Sequence, residues 1–189
     1  VFLGNNSPPS SPTSGTRAFA PMPPTFRPET AADLEAIRQV HRLAFGQGAE
    51  ANLVDALRGG EYVTLSLVAV QNGQIIGHIL FSRLEIVSEN RIVEAISLAP
   101  VAILPKHQGK GIGSALIRFG LDVARQAGHR IVIVVGDPSY YSRFGFSADH
   151  AAPLRSKYAG EAFMALELVP AALDGVVGDV EYPEPFESV

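Results

Sequence analysis

The segment that most constrains this chain is Gln108-Gly109-Lys110-Gly111-Ile112-Gly113. It stands between an apolar run ending Val101-Ala102-Ile103-Leu104-Pro105 and an amphipathic run beginning Ser114-Ala115-Leu116. A strand that feeds a glycine-rich turn into a helix start builds an anion site. Glycine reaches positive φ at little cost and carries no side chain to hold a ligand away. The helix start adds unpaired N–H groups and the positive end of its dipole, so a phosphate there gains hydrogen bonds and favourable charge together. Lys106, His107 and Lys110 surround the turn, Gln108 offers a side-chain amide to phosphate oxygens, and Ser114 offers a hydroxyl at the helix start.

Spacing narrows the ligand. A dinucleotide fingerprint reads G-x-G-x-x-G, but counting from Gly109 puts Ser114 at the last glycine and counting from Gly111 puts Leu116 there. No Gly-Lys-Ser/Thr follows four spacers, as a P-loop would need. A nucleotide-binding domain of either kind is therefore excluded. What remains is Gln-x-x-Gly-x-Gly after a long strand, then a helix, a second apolar strand Ile131-Val132-Ile133-Val134-Val135, and Tyr141-Ser142-Arg143-Phe144-Gly145-Phe146. In this order the two motifs resemble the GNAT N-acetyltransferase superfamily, whose pyrophosphate loop reads Gln/Arg-x-x-Gly-x-Gly/Ala and whose later element reads Tyr-x-x-x-Gly-Phe. The resemblance runs from Thr25 to Leu168, and Gly136-Asp137-Pro138 with Tyr140-Tyr141 looks most like a bacterial subgroup of acetyltransferases.

The resemblance implies a GNAT-like α/β fold: a mixed, mostly antiparallel central sheet with splayed central strands, flanked by helices. It implies acetyl-CoA as co-substrate without a metal, and direct attack by a primary amine within a ternary complex. Carried over residue by residue, the splay would leave the backbone of Val101, Ala102 and Ile103 unpaired, and unpaired groups seek a partner. Pantetheine amides would supply it, and a backbone N–H there would meet the oxyanion. The pyrophosphate would lie on Gln108, Gly109, Lys110, Gly111, Ile112, Gly113 and Ser114. Tyr141, four residues before Gly145, would be the general acid, since a phenol is protonated at neutral pH and can give its proton to a thiolate. Tyr140 is expected to point elsewhere. Without the resemblance, Val101 to Leu104 reads equally as a buried strand and Tyr141 as packing.

The pattern departs from the family at the general base. Many members carry a glutamate five residues before the strand-ending proline, and Pro100 occupies that position here. Glu94 and Glu85 could act through a water, or the amine could arrive neutral. The departure also leaves open a CoA-binding sensor or partner-binding module with weak or no catalysis, against which Tyr141 argues for chemistry. Acceptor selection would fall to His41, Phe45, Glu50 and the segment from Tyr158 to Glu167, for a small-molecule amine or a peptide amine, and a homodimer is compatible with the resemblance.

Composition sets outer bounds. The 189 residues, 47% hydrophobic, suit one domain. No apolar stretch approaches the roughly 20 residues a membrane helix needs, so no membrane partner is expected. Zero cysteines exclude a disulfide framework, a thiolate metal site and a cysteine nucleophile, and a cytoplasmic protein is expected. The five histidines, His41, His78, His107, His129 and His150, lack metal-ligand spacing and read as core or surface histidines. From Tyr158 onward there are seven Asp or Glu and no Lys or Arg. Such a region repels nucleic acid and either attracts a cationic acceptor or forms a solvated face. Residues 1–24 read as a Pro/Ser-rich extension, dispensable and unlike a signal peptide, ahead of a single domain over 25–189.

Thr25 to Arg27 reads as a strand broken by Pro28, and Thr30 with Asp33 as a capping box before a helix that buries Leu34, Ile37, His41 and Ala44. A second helix spans Ala49 to Arg58, with Leu53, Val54 and Leu57 inward and Gly59-Gly60 as its stop. Asn72-Gly73 joins Leu65–Gln71 to Gln74–Ile86 as a hairpin. Ile92 to Leu104 is the long central strand, Ile112, Leu116, Phe119 and Val123 share a helix face, and Phe163 to Leu168 is the last long strand.

Overall fold

The structure, a computed structural model, describes residues 22–188; the expectation of a dispensable extension falls mainly on residues outside that range. Eight strands form one sheet in the order β1-β2-β3-β4-β5-β7, with β8 on β3 and β6 on β8. The strands are β1 (Thr25–Pro28), β2 (Val63–Gln71), β3 (Gln74–Val87), β4 (Ile92–Ile103), β5 (Ile131–Val135), β6 (Leu154–Arg155), β7 (Phe163–Glu167) and β8 (Gly178–Glu181). Pairing is antiparallel except β4 with β5 and β6 with β8. This is the mixed, mostly antiparallel sheet expected.

The helices follow their apolar periods. Helix α1 (Leu34–Phe45) buries Ile37, Val40 and His41, and α2 (Ala49–Gly59) buries Ala51, Leu53, Val54 and Leu57. Leu34, expected inward, is 40% exposed, because the chain makes a 3-10 turn over Ala31–Asp33 before the α-helix begins. Asp33 closes that turn by accepting from the Thr30 N–H at 2.7 Å and from Arg27 at 2.6 and 2.9 Å. The Arg27 guanidinium holds the Asp33 carboxyl far below the usual carboxylate range. Both Asn72 and Gly73 have positive φ, 51° and 75°, as a two-residue hairpin turn requires.

Helices α1 and α2 cover one sheet face, where Ile37, Leu53, Leu57, Val68 and Leu80 pack with Phe186 from the C-terminal segment. Helix α3 (Ile112–Gln126) covers the other, over Ile79, Phe81, Ile96 and Leu98. Strand β8 was not apparent in the sequence. It runs beside Glu85–Val87 where β2 has already ended, so the C-terminal segment extends the sheet.

Candidate active site

Strands β4 and β5 pair only at Ile96–Val132 and Ser97–Ile133. Beyond Ser97 they separate, although β4 continues to Ile103 and β5 to Val135. On its other side β4 keeps its partner: Val101 faces Ile79, Ala102 faces His78 and Ile103 faces Gly77. The register shifts between Ile79 and Phe81, opposite Ala99-Pro100, so Pro100 occupies a bulge and is buried. The cleft edge of Val101, Ala102 and Ile103 is thus free of β5, as the splay predicts.

At the end of β4 the chain makes a 3-10 turn over Pro105–His107 and enters the glycine turn. Gly109 and Gly111 have φ of 70° and 78°, and Gly111 is the N-cap of α3. The first helical hydrogen bond runs from the Ala115 N–H to the Gly111 carbonyl at 3.0 Å. The amides from Gly109 to Ser114 meet no backbone acceptor among the described residues. Six consecutive free donors at a helix start are what an anion needs.

The side chains around the turn divide. Gln108 donates its amide to the Ile103 carbonyl at 2.9 Å, tying the turn to the strand end rather than reaching into the turn. Lys110 donates to the Lys106 carbonyl at 2.8 Å, which folds its charge back over the turn. His107 is held below its ordinary value by partial burial and by Lys106 and Lys110. Ser114 lies 3.4 Å from the Tyr140 hydroxyl.

Tyr141 ends the short helix α4 (Pro138–Tyr141), which Asp137 caps by accepting from the Ser139 N–H at 2.8 Å. Its ring stands edge-on to Tyr140 and Phe146, at centroid distances of 5.2 and 5.8 Å, and lies flush against Gly136, where a Cβ would overlap Tyr141 Cε2. Burial, with Tyr140 second, pushes the phenol up to about 12, so its proton stays in place at neutral pH. Tyr140 departs from expectation. Its hydroxyl sits over the start of α3, 3.2 Å from where a Cβ on Gly113 would be, and Arg143 lies 4.6 Å from its ring centroid. The two adjacent rings stand edge-on to each other, and the Tyr140 hydroxyl reaches the start of α3 beside Ser114.

The remaining candidates lie apart. Glu85 and Glu94 are cross-strand partners near the start of β4, about 20 Å along the strand from Val101 at ~3.3 Å per residue. Glu181 faces Glu85 from β8, giving an exposed row of three carboxylates bordered by Arg83, His129 and Tyr182. Among the other C-terminal acids, Asp179 pairs with Arg155 at 2.7 Å and Glu167 accepts from the Leu173 N–H at 2.7 Å. His41 is fully buried on the inner face of α1, with Phe45 stacked on it at 6.0 Å. Among the described residues no cluster of His, Cys, Asp or Glu could hold a metal, and no helix is long and apolar enough to cross a membrane.

A strand pair that opens onto a free-amide turn, with a half-buried tyrosine pair just after β5, matches an acyl-CoA transferase of the GNAT type. The family model described as acetyltransferase (GNAT) domain matches residues 25–148, and the chain belongs to this family. It is 38% identical over 164 residues to the uncharacterized N-acetyltransferase YhbS of Escherichia coli K12, covering 85% of this chain and 97% of that protein. The crystal structure of E. coli YhbS in complex with CoA superposes with a TM-score of 0.81 at 36% identity, covering 87% of this chain and 92% of that one. A GNAT family acetyltransferase from Brucella melitensis in complex with acetyl-CoA gives a TM-score of 0.72 at 39% identity, covering 86% and 97%.

Proposed function

We propose that this N-acetyltransferase moves an acetyl group from acetyl-CoA to a primary amine, free or at a peptide terminus or side chain, by direct attack in a ternary complex. The observation that carries the reading is the release of β4 from β5 at Ser97, directly upstream of six free amides. Pantetheine would pair with the freed edge of Val101–Ile103, and the pyrophosphate would take the amides of Gly109–Ser114. The CoA and acetyl-CoA complexes of the two similar proteins support this placement. The Tyr140 hydroxyl and Ser114 add donors at the same helix start.

In the transfer, the amine lone pair attacks the thioester carbon and a C–N bond forms. A free backbone N–H of β4 stabilises the oxyanion. The C–S bond then breaks, and Tyr141 gives its O–H proton to sulfur while the nitrogen's surplus proton replenishes the phenol. Replenishment matters because a phenol held near 12 is a weak acid toward a thiolate. Pro100 stands where many family members place a base, so the amine must reach the cleft unprotonated or meet another acceptor. Calorimetry with acetyl-CoA, followed by a screen of amines scored by free-thiol release, tests the reading. Absence of acetyl-CoA binding would refute it.

A further inference from the structure

Two arginines beside the glycine turn have no anionic partner in the fold. Arg118 lies on α3 one turn beyond Ser114, and Arg143 lies just after α4. Both are exposed. Among the described residues neither enters an ion pair, whereas Arg27, Arg38, Arg58, Arg125 and Arg155 each hold a carboxylate. The neighbouring acids are engaged elsewhere: Asp122 with Arg125 at 2.8 Å, and Asp137 with the Ser139 N–H at 2.8 Å. Arg143 donates to the Ser139 carbonyl at 3.4 Å, a long contact that leaves most of its N–H groups free.

Aromatic surface is what holds the two guanidiniums. Arg143 Cζ lies 4.6 Å from the Tyr140 ring centroid and Arg118 Cζ 5.1 Å from that of Phe144, and these two rings meet edge-on at 5.5 Å. A guanidinium seated on a ring is positioned without its N–H groups being consumed, and its planar fork suits phosphate oxygens. The platform is joined to the turn, because the Tyr140 hydroxyl lies 3.4 Å from Ser114 Oγ. Charge also gathers here against the trend of the chain. From Pro105 to Arg118 there are Lys106, His107, Lys110 and Arg118 and no acid, in a protein of net charge −4.

CoA carries more phosphate than the turn accommodates. Its pyrophosphate matches the free amides, but its ribose bears a further phosphate monoester at the 3′ position, with close to two negative charges at neutral pH. That group is one sugar away from the pyrophosphate, and Arg143 is one ring away from the start of α3. We propose that Arg143 and Arg118 clamp the 3′-phosphate of CoA, with Tyr140 and Phe144 as positioning residues, so that this chain selects CoA thioesters over those of a carrier lacking that phosphate. The inference rests on the acetyl-CoA reading and adds to it which form of the carrier is accepted.

Isothermal calorimetry of the intact protein with CoA and with 3′-dephospho-CoA, two ligands that differ only in this phosphate, reads the clamp. Dephospho-CoA should bind at least tenfold more weakly, as charge-assisted hydrogen bonds to one phosphate allow, and the difference should shrink as salt is added. In the double variant Arg118→Gln with Arg143→Gln, CoA should weaken to the level of dephospho-CoA, while dephospho-CoA binds as it does to the parent. Arg143→Gln alone should remove the larger share, since Tyr140 is the ring joined to Ser114. Equal affinities for the two ligands in the parent would overturn the proposal and leave the acetyl-CoA reading standing. Undiminished discrimination in the double variant would overturn the assignment to these arginines. A double variant that weakens both ligands by the same factor would show general attraction in place of a clamp and overturn it as well. Binding of neither ligand to the parent would refute both readings.

Discussion

Acidification from pH 7 to pH 5 should destabilise this protein through His41 and His78. Burial, with neighbouring positive charge, lowers His41 to about 3 and shifts His78 in the same direction, whereas an unfolded-chain histidine titrates near 6.5. Below 6.5 the unfolded state therefore binds protons that the native state refuses, and stability falls as pH drops from 6.5 toward 3. Each excluded proton costs about 1.4 kcal/mol per pH unit, so His41 alone loses about 2 kcal/mol at pH 5, and His78 adds to the loss in the same direction. For a chain of this size the His41 part is about 4–8 °C in Tm. The window isolates the histidines, because the Glu29 contribution is present above about 4.5 and disappears only as pH falls toward about 2. Thermal melts by circular dichroism at pH 7, 6 and 5, at constant ionic strength, give the slope. In His41→Leu the slope should fall clearly, by the His41 share. A parent whose Tm is flat from pH 7 to pH 5, or a His41→Leu slope equal to the parent's, would refute the assignment of neutral buried imidazoles.

Tyr141→Phe should leave acetyl-CoA affinity intact and lower turnover on the order of 10² to 10⁴-fold, measured as thiol release against isothermal calorimetry. Gly136→Ala keeps the phenol but places a methyl against Tyr141 Cε2, so it should lower kcat at least tenfold with acetyl-CoA affinity unchanged; equal rates would show that Tyr141 tolerates displacement. Gly111→Val must hold a β-branched residue at φ 78° in the N-cap of α3, and calorimetry should show acetyl-CoA affinity reduced at least tenfold in the folded variant.

The elements that were legible in the sequence carry their cause locally. Asn72-Gly73 sets its hairpin because both positions need positive φ, and Gly111 marks the start of α3 for the same reason. Ile131–Val135 is read from its unbroken apolar run, and the structure gives it those bounds. What sequence missed depends on partners distant along the chain. Strand β8, Gly-Asp-Val-Glu, is too short and acidic to announce itself and exists because β3 outlasts β2. Glu29, Ser66, His78 and His41 share no spacing, so the hydrogen bonds that join them in a line appear only when β1, β2, β3 and α1 are assembled. His41 and His78 are core histidines, as their scatter suggested, but the bonds joining them were invisible. Gln108 and Tyr140 were misaimed for a related reason: each side chain meets a neighbour, the Ile103 carbonyl and the Ser114 hydroxyl, that one-dimensional spacing does not encode.

Phe186 lies under α2, 6% exposed, with its carbonyl 3.3 Å from the Tyr158 hydroxyl. The first two helices therefore finish their apolar floor with a residue from the opposite end of the domain. During synthesis they can dock on β2 and β3 but leave a gap until residues 182–186 emerge from the ribosome. The wall formed by α1 and α2 thus sets late, by a contact of very long sequence separation, whose loop-closure cost slows folding. A change at residues 182–186 would be felt first at α2, on the sheet face opposite α3 and its glycine turn.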